Sequence, residues 1–346
     1  MKRVLFRVDA GSGIGLGHLV RCLALAHALQ QLGLECSFFT SSKVEARVQS
    51  HGGIFTPLGA FKVGGALDLE QTIGLAHQHN CRAVIVDSYD TDANYLARLR
   101  DEHFFVVMID DLAAFPFPCQ LVVNGSIYAQ DKLYGSASGD TEFLLGPQYI
   151  LLRPEFWNIE PKPLREQVEN ILVLLGGFDP LDLMPRLLGA LDTLKGPLRI
   201  TAIVGPFFEN RSEIEAVARG MEHAIELEFN PPDVRDLILD ADMAISAGGQ
   251  TIHELLACGC PTVALPIAEN QLPNVQAWAE RGAVLAVADT LAMMQAKAVN
   301  RVMGAIQTLH QSPQLRAELR ENGRRWIDGQ GAVRVAKKID SAVWWV

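Results

Sequence analysis

The sequence lacks the features of a membrane-spanning or nucleic-acid-binding protein. No apolar run reaches the roughly 20 residues that a transmembrane helix needs. The first residues show no secretory leader pattern, and no polybasic stretch follows. The 40 acidic side chains outnumber the 30 lysines and arginines, and a net charge of −10 disfavours binding to a phosphate backbone. We therefore expect a cytoplasmic protein with no membrane and no nucleic-acid partner.

Cysteine is scarce and is not grouped in a way that indicates disulfides or a metal site. The six cysteines are scattered among apolar residues, which is typical of reduced, buried thiols. Cys258 and Cys260 form a Cys-x-Cys pair, but no neighbouring histidine or cysteine completes a zinc site. Neither half of the chain has histidines and carboxylates at metal-ligand spacing. The sequence thus predicts no metal and no cofactor.

The sequence does contain two series of apolar strands that alternate with helices. The first begins with "KRVLFRVD" and the second with "NILVLLGGFDP", and the proline- and charge-rich "NIEPKPLREQ" between them is typical of a linker. This pattern predicts an α/β protein with two Rossmann-like domains, over 1–158 and 168–311, followed by C-terminal helices over 312–346. Ligands of such sheets bind at the carboxyl ends of the strands, so we expect the two domains to face each other across a cleft.

The glycine-rich loop after the first strand ends in a histidine. In "RVDAGSGIGLGHLVR" the glycines, among them Gly15 and Gly17, allow a backbone that side chains would block. A helix N-terminus here favours a phosphate or a developing oxyanion. A dinucleotide site is disfavoured, because no acidic residue ends the second strand. His18 is either a base, kept neutral by the helix N-terminus, or a residue that only caps the turn.

The second glycine loop, in "SAGGQTIHELLACGCP", has a more specific pattern. Backbone amides and hydroxyls at a helix N-terminus suit a diphosphate, and the candidates here are Ser246, Gly248, Gly249 and Thr251. Glu254, one helical turn on, is placed to accept both hydroxyls of a ribose. The alternative is a capping box formed by Glu254 with Thr251.

These motifs together resemble the nucleotide-sugar hydrolases of pseudaminic acid biosynthesis and, more widely, the glycosyltransferase-B superfamily. The resemblance covers nearly the whole chain, through Arg7-x-Asp9, "IGLGHLVR", "LLGPQYILLRPEF", "LLGGFDP" and "SAGGQTIHELLACGCPTVALPIAENQ". The Gly-Gly-x-Thr-x-x-Glu element is common to both groups, whereas Ile-Gly-x-Gly-His-x-x-Arg is similar to the hydrolases alone. Phe178 departs from the pattern, which has a small hydroxyl residue at that position.

The resemblance implies hydrolysis of UDP-2,4-diacetamido-2,4,6-trideoxy-β-L-altropyranose to UDP and the free sugar, without a metal and with inversion at C1. His18 would be the base or orient the water, and Asp9 and Asp87 would orient His18 or hold sugar amides. Arg21 would contact phosphate or pair with Asp9, and Tyr89 would line the sugar pocket. The remaining substrate-binding candidates lie in glycine loops and in the second half of the chain: Gly15, Gly17, Gly177, Ser246, Gly248, Gly249, Thr251, Glu254 and Asn270.

Two further function classes stay open at this point. One is a UDP-dependent glycosyltransferase with an acceptor in place of water, and the other is a module that binds nucleotide sugars without turnover. Asp110 and Asp111, paired at the end of a strand, are interpreted as a turn or helix cap in preference to a metal or sugar site. Gly177 lies either at the ligand or in an ordinary strand-to-helix turn. We expect a UDP-sugar as the small-molecule partner and a monomer.

Overall fold

The computed structural model describes residues 2–10, 17–59, 61–292 and 295–344. The chain forms two compact units. Unit 1 comprises Met1–Trp157 and Gly329–Val346, and unit 2 comprises Asn158–Asp328. Most of the first glycine loop, residues 11–16 with Gly15, lies outside the described residues.

Unit 1 contains a parallel sheet of seven strands with helices on both faces. Its strands are β1 (Arg3–Val8), β2 (Glu35–Thr40), β3 (Ile54–Pro57), β4 (Ala83–Asp87), β5 (Phe105–Ile109), β6 (Leu121–Asn124) and β7 (Glu142–Leu145). Its helices between these strands are α1 (Gly17–Gln31), α2 (Glu45–Ser50), α3 (Ala66–Gln78) and α4 (Ala93–Asp101). The strand order is β3-β2-β1-β4-β5-β6-β7.

Unit 2 repeats this plan with six parallel strands. They are β8 (Asn170–Leu174), β9 (Arg199–Val204), β10 (Ala224–Phe229), β11 (Met243–Ala247), β12 (Thr262–Leu265) and β13 (Leu285–Ala286). Its helices are α5 (Leu183–Leu191), α6 (Arg211–Arg219), α7 (Arg235–Asp240), α8 (Thr251–Cys258), α9 (Leu272–Glu280), α10 (Gln295–Gln311) and α11 (Pro313–Trp326). The order is β10-β9-β8-β11-β12-β13, which confirms the predicted α/β class with two Rossmann-like sheets.

The central strands are apolar because both faces of each sheet are covered by helices. All five residues of β4 are buried, as are all five of β11. Successive side chains of a strand point to opposite faces. In β1, Val4 and Phe6 therefore join the core beside α1, whereas Leu5 joins the core with Leu69 of α3. Arg7 shares the face of Leu5, and this alternation directs its charged side chain toward α3.

Each sheet has one point where the chain changes the direction in which it adds strands. In unit 1 this point lies between the neighbours β1 and β4, and in unit 2 between β8 and β11. In open α/β sheets the crevice at the carboxyl ends of such a strand pair is where ligands bind. The strand order therefore identifies one candidate ligand position in each unit.

The C-terminal helices belong to different units, although the sequence predicted one separate segment over 312–346. Helix α11 contributes Leu319 to the core of unit 2. The last helix, α12 (Gly331–Trp344), returns to unit 1, where Val335 and Ile339 pack in the core beside α1. Each helix is placed by the core that its apolar residues enter. No described helix combines the length and apolarity that a bilayer crossing requires.

We expect Gly331→Ala to destabilise unit 1, because α12 begins in close contact with backbone. A Cβ at Gly331 would lie 2.1 Å from the carbonyl oxygen of Ile150, so the helix or the loop must shift. Overpacking of this kind lowers the free energy of unfolding by about 1–3 kcal/mol. Urea unfolding followed by circular dichroism measures this loss.

The matched control is Gly304→Ala inside α10, where a Cβ would meet no atom within 4 Å. Alanine is the better helix former by about 1 kcal/mol, so this variant should be neutral or more stable. Equal unfolding midpoints for Gly331→Ala and the wild type would contradict the tight docking of α12.

Candidate active site

A cluster of charged side chains lies where β1 and β4 end in unit 1. Asp9 follows β1, Asp87 ends β4, and Asp111 follows β5. His18 and Arg21 come from the first turns of α1, three residues apart and so on one face of the helix. The strand ends and the helix start thus bring three carboxylates and two basic groups to one edge of the sheet.

Arg21 joins two of these carboxylates. Its Nε and Nη2 donate to the two oxygens of Asp87, at 2.6 and 2.7 Å, and its Nη1 donates to Asp111 Oδ2 at 2.7 Å. The predicted pairing of Arg21 with Asp9 is therefore wrong, because both donor edges of the guanidinium are already used. Burial disfavours the charged form of Asp87, but Arg21 and His18 outweigh it and hold the pKa of this carboxyl well below its usual range.

His18 lies against the same carboxylate. Its Nδ1 is 2.9 Å from Asp87 Oδ1, an ion-pair distance without the alignment of a hydrogen bond. Its Nε2 has no hydrogen-bond partner among the described residues. Burial lowers the pKa of His18, but Asp87 more than compensates and raises this pKa above its ordinary value. The direction of this shift is therefore set by the neighbouring carboxylate of Asp87 and not by the helix N-terminus on which the sequence interpretation relied.

Tyr89 and Asp111 complete this side of the cluster. The ring of Tyr89 meets His18 edge to face at 4.6 Å between centroids, and its hydroxyl donates to Asp111 Oδ2 at 2.9 Å. The interpretation of the acidic pair as a turn holds for Asp110, whose Oδ2 accepts from the backbone amides of Leu112 and Ala113. Asp111 instead pairs with Arg21 and Tyr89 in the charged cluster, so the preference for a turn or cap was wrong for this residue.

Asp9 belongs to a separate network. Arg7 Nη1 donates to Asp9 Oδ1 at 2.7 Å, while its Nε and Nη2 donate to both oxygens of Asp68 on α3, at 2.8 and 2.7 Å. Tyr95 and the amide of Gly64 also donate to Asp68. Asp9 therefore does not orient His18 in this structure. Asp68 also belongs to the network of Arg7, and no sequence motif had indicated it.

In unit 2 the predicted diphosphate loop follows β11. Ser246 is buried near the end of this strand, and its hydroxyl donates to the carbonyl of Ala247 at 3.0 Å. A Cβ at Gly248 would lie 2.2 Å from Val275 Cγ2, so no larger residue fits there. A Cβ at Gly249 would make only an ordinary van der Waals contact. Packing against α9 thus requires a glycine at position 248. The same packing does not require one at position 249.

The start of helix α8 bears on the capping box that was the alternative for Glu254, because that box needs Thr251 at the N-cap. Gln250 precedes the helix in a helical backbone conformation and makes no side-chain cap, and Thr251 is already the first helical residue. Glu254 is buried in the first turns, only 7% exposed. The alternative with Thr251 at the N-cap is therefore not the arrangement of this helix start.

The remaining unit 2 candidates lie on neighbouring segments. Gly177 follows β8, the strand beside β11, and its carbonyl accepts from the amide of Phe207 at 3.0 Å. Phe178 is 45% exposed in this turn. Asn270 is exposed in a short 3₁₀ turn, next to Gln271, which accepts from the amide of Gly248. The carboxyl edge of the unit 2 sheet thus carries all the predicted residues of this unit.

In unit 1, Gly17 begins α1, and a Cβ there would meet no atom within 4 Å.

Within the part of the chain that the structure describes, no group of three histidine, cysteine or acidic side chains is arranged to hold a metal ion. The six cysteines are all buried and free.

The fold is that of the glycosyltransferase-B structures. The crystal structure of MurG from Acinetobacter baumannii matches with a TM-score of 0.73, at 19% identity, over 99% of this chain and 100% of that one. No protein-family model matches the chain. At this identity the likeness establishes the fold alone.

Among proteins with curated names, the chain is 26% identical to the spore coat polysaccharide biosynthesis protein SpsG of Bacillus subtilis (strain 168), over 94% of both chains. It is 22% identical to the UDP-2,4-diacetamido-2,4,6-trideoxy-beta-L-altropyranose hydrolase of Campylobacter jejuni, over 81% of this chain and 97% of that protein. The chain is thus similar to one protein named for polysaccharide biosynthesis and to one named as a UDP-sugar hydrolase.

The electrostatics of the cluster predict the titration of His18. In the wild type we expect its pKa above the ordinary value of about 6.5. In Asp87→Asn the raising charge is gone, while burial and Arg21 still lower the pKa, so it should fall below that value. NMR titration of the labelled imidazole measures both.

Asp111→Asn is the matched control, because Asp111 raises the pKa of His18 less than Asp87 does. Its shift should be clearly smaller. A His18 pKa that does not respond to Asp87→Asn would refute the pairing described above.

Proposed function

We propose that this protein is a nucleotide-sugar hydrolase that cleaves a UDP-linked 2,4-diacetamido-2,4,6-trideoxy sugar to UDP and the free sugar. The observation that carries the proposal is the buried pair of Asp87 and His18 at the point where β1 meets β4, with Nε2 of the ring unoccupied by described protein groups. The named hydrolase among the relatives supports the substrate class.

In the proposed reaction, water attacks C1 of the sugar as the bond from C1 to the diphosphate oxygen breaks. UDP leaves with the bonding electron pair, and His18 accepts the proton of the water at Nε2. Asp87 faces Nδ1, so it holds the ring in orientation and stabilises the imidazolium that forms. Because water enters opposite the leaving group, the configuration at C1 inverts.

The diphosphate and ribose are assigned to unit 2. The loop from Ser246 to Thr251, with Gly248 and Gly249, would hold the diphosphate at the start of α8, and Glu254 would accept from the ribose hydroxyls. Gly177 and Asn270 lie on adjoining segments of the same edge and would contact the substrate. Charge on the leaving UDP would be stabilised by these amides, which requires no metal.

Arg21 and Tyr89 are assigned to positioning and to the sugar pocket. The guanidinium of Arg21 is committed to Asp87 and Asp111, so we assign it to holding those carboxylates instead of phosphate. Tyr89 is 48% exposed, which leaves its ring accessible beside His18. Gly15 and Gly17, the latter the first residue of α1, remain proposed substrate-binding residues.

A UDP-dependent glycosyltransferase is the second candidate, because the chain has the fold of the glycosyltransferase-B structures. The two activities differ in the acceptor. A hydrolase releases UDP and sugar in equal amounts without any acceptor, whereas a transferase releases little. A binding module without turnover would release neither.

Substitution of the proposed base tests the mechanism. His18→Asn should still bind UDP but lose about 10²- to 10⁴-fold in kcat, the range for a general base. His27→Asn on the same helix is the control and should keep wild-type turnover. Steady-state assays of UDP release, with UDP affinity from calorimetry, separate the two effects. Turnover of His18→Asn within tenfold of wild type would exclude this role for the ring.

The reaction itself is tested with UDP-2,4-diacetamido-2,4,6-trideoxy-β-L-altropyranose in ¹⁸O-water, without acceptor and with excess EDTA. We expect full activity, label in the sugar, and an inverted first product in proton NMR. Label found in UDP would mean attack at phosphorus. Retention at C1 would mean a covalent intermediate, and UDP release that depends on an added acceptor would support the transferase.

A further inference from the structure

The two oxygens of the Asp9 carboxylate have different surroundings. Oδ1 accepts a hydrogen bond from Arg7 Nη1 at 2.7 Å. Oδ2 is buried and has no hydrogen-bond partner among the described residues, and the residue as a whole is only 3% exposed. Buried polar atoms are nearly always paired in proteins, because an unpaired one loses its hydration without compensation. An acceptor in this position therefore calls for a donor that the described residues do not supply.

Asp9 is held in place by a rigid support. Arg7 is fully buried, and α3 fixes its other donor edge through the paired contacts with Asp68. Asp68 in turn accepts from Tyr95 and from the amide of Gly64, so its own position is fixed. A two-pronged contact of this kind sets both distance and plane. The Arg7–Asp68 pair therefore fixes the guanidinium that holds Oδ1 of Asp9.

The two basic side chains of the cluster contact carboxylates other than Asp9. His18 faces Asp87, and Arg21 spans Asp87 and Asp111. Asp9 lies at the carboxyl end of β1, beside β4, where a ligand of this sheet binds. Its own backbone amide donates to the carbonyl of Asp87, which ties the two strand ends together. The donor that Oδ2 lacks is thus expected on the substrate.

We propose that Asp9 Oδ2 accepts a hydrogen bond from an amide N–H of the sugar, and that Arg7 and Asp68 are positioning residues for this contact. The inference rests on the proposed function, because it takes a diacetamido sugar as the ligand. A carboxylate oxygen only accepts, so this contact selects sugars that present a donor at that point. Asp9 then contributes to sugar specificity, while His18 accepts the proton of the attacking water.

The variant Asp9→Asn reverses the polarity of this contact without changing its size. Arginine only donates, so Arg7 holds the amide oxygen of the new side chain, and the NH₂ group takes the place of Oδ2. A donor then faces the donor of the sugar. The Arg7–Asp68 pair is untouched, which keeps the fold of the support intact.

The experiment measures binding by calorimetry in a His18→Asn background, which prevents turnover. The probes are UDP and UDP-2,4-diacetamido-2,4,6-trideoxy-β-L-altropyranose. Adding Asp9→Asn should weaken the UDP-sugar by about 10- to 100-fold, the range for a hydrogen bond to a charged group, and leave UDP within about twofold. Adding Asp110→Asn is the matched control, because Asp110 caps its own turn, and both affinities should stay unchanged.

Asp68→Asn tests the positioning role. It should weaken the UDP-sugar alone, and its effect should largely vanish when Asp9→Asn is already present, because both act through one contact. Additive losses, or equal losses for UDP and the UDP-sugar, would mean a structural role.

The outcomes separate the two proposals. Wild-type affinity for the UDP-sugar in Asp9→Asn, or a loss confined to kcat in the active enzyme, overturns the inference and leaves the hydrolase proposal standing. Failure of the His18→Asn protein to bind either UDP or the UDP-sugar contradicts the proposed function, and the inference falls with it.

Discussion

The ion pair between Asp87 and Arg21 is the interaction on which the unit 1 site depends. Both groups are buried, and removing two charges from water costs more than their attraction returns unless the geometry is good and the remaining polar atoms are satisfied. Here the contact is two-pronged, and the third donor of Arg21 reaches Asp111. Asp87 is thereby kept ionised, and its charge raises the pKa of His18. Through Asp111 the same guanidinium also fixes the hydroxyl of Tyr89.

The two units achieve order at their strand ends by different physical means. In unit 1 the side chains are held by charge, through Arg21 and Arg7. In unit 2 the loop after β11 is held by packing and backbone contacts, because Val275 leaves no space at Gly248 and Asn274 donates to the carbonyl of Gly248. The first arrangement sets proton affinities, and the second sets a backbone shape. This division matches the proposed split between chemistry and diphosphate binding.

The parts predictable from sequence were those encoded locally. Continuous apolar runs such as "AVIVD" predict strands buried on both faces, and Asp87 at the end of one of them was correctly placed at the sheet edge. The roles of Asp68 and Asp111 were not predictable, since Asp68 meets Arg7 across 61 residues of sequence and Asp111 meets Arg21 across 90. The direction of the His18 pKa shift was missed for the same reason. A helix N-terminus is visible in sequence, but a carboxylate from another strand is not.

The return of α12 to unit 1 has a consequence for how the protein is made. Unit 1 is interrupted in the chain by the whole of unit 2, and its core includes Val335 and Ile339 of α12. During synthesis from the N-terminus, the strands of unit 1 emerge first but lack part of their apolar cover until all of unit 2 has been translated. Unit 2 is continuous in sequence and is free to fold as soon as it emerges. The order of folding is therefore expected to be the reverse of the order of synthesis, with the helix that carries His18 receiving its last packing partner at the end.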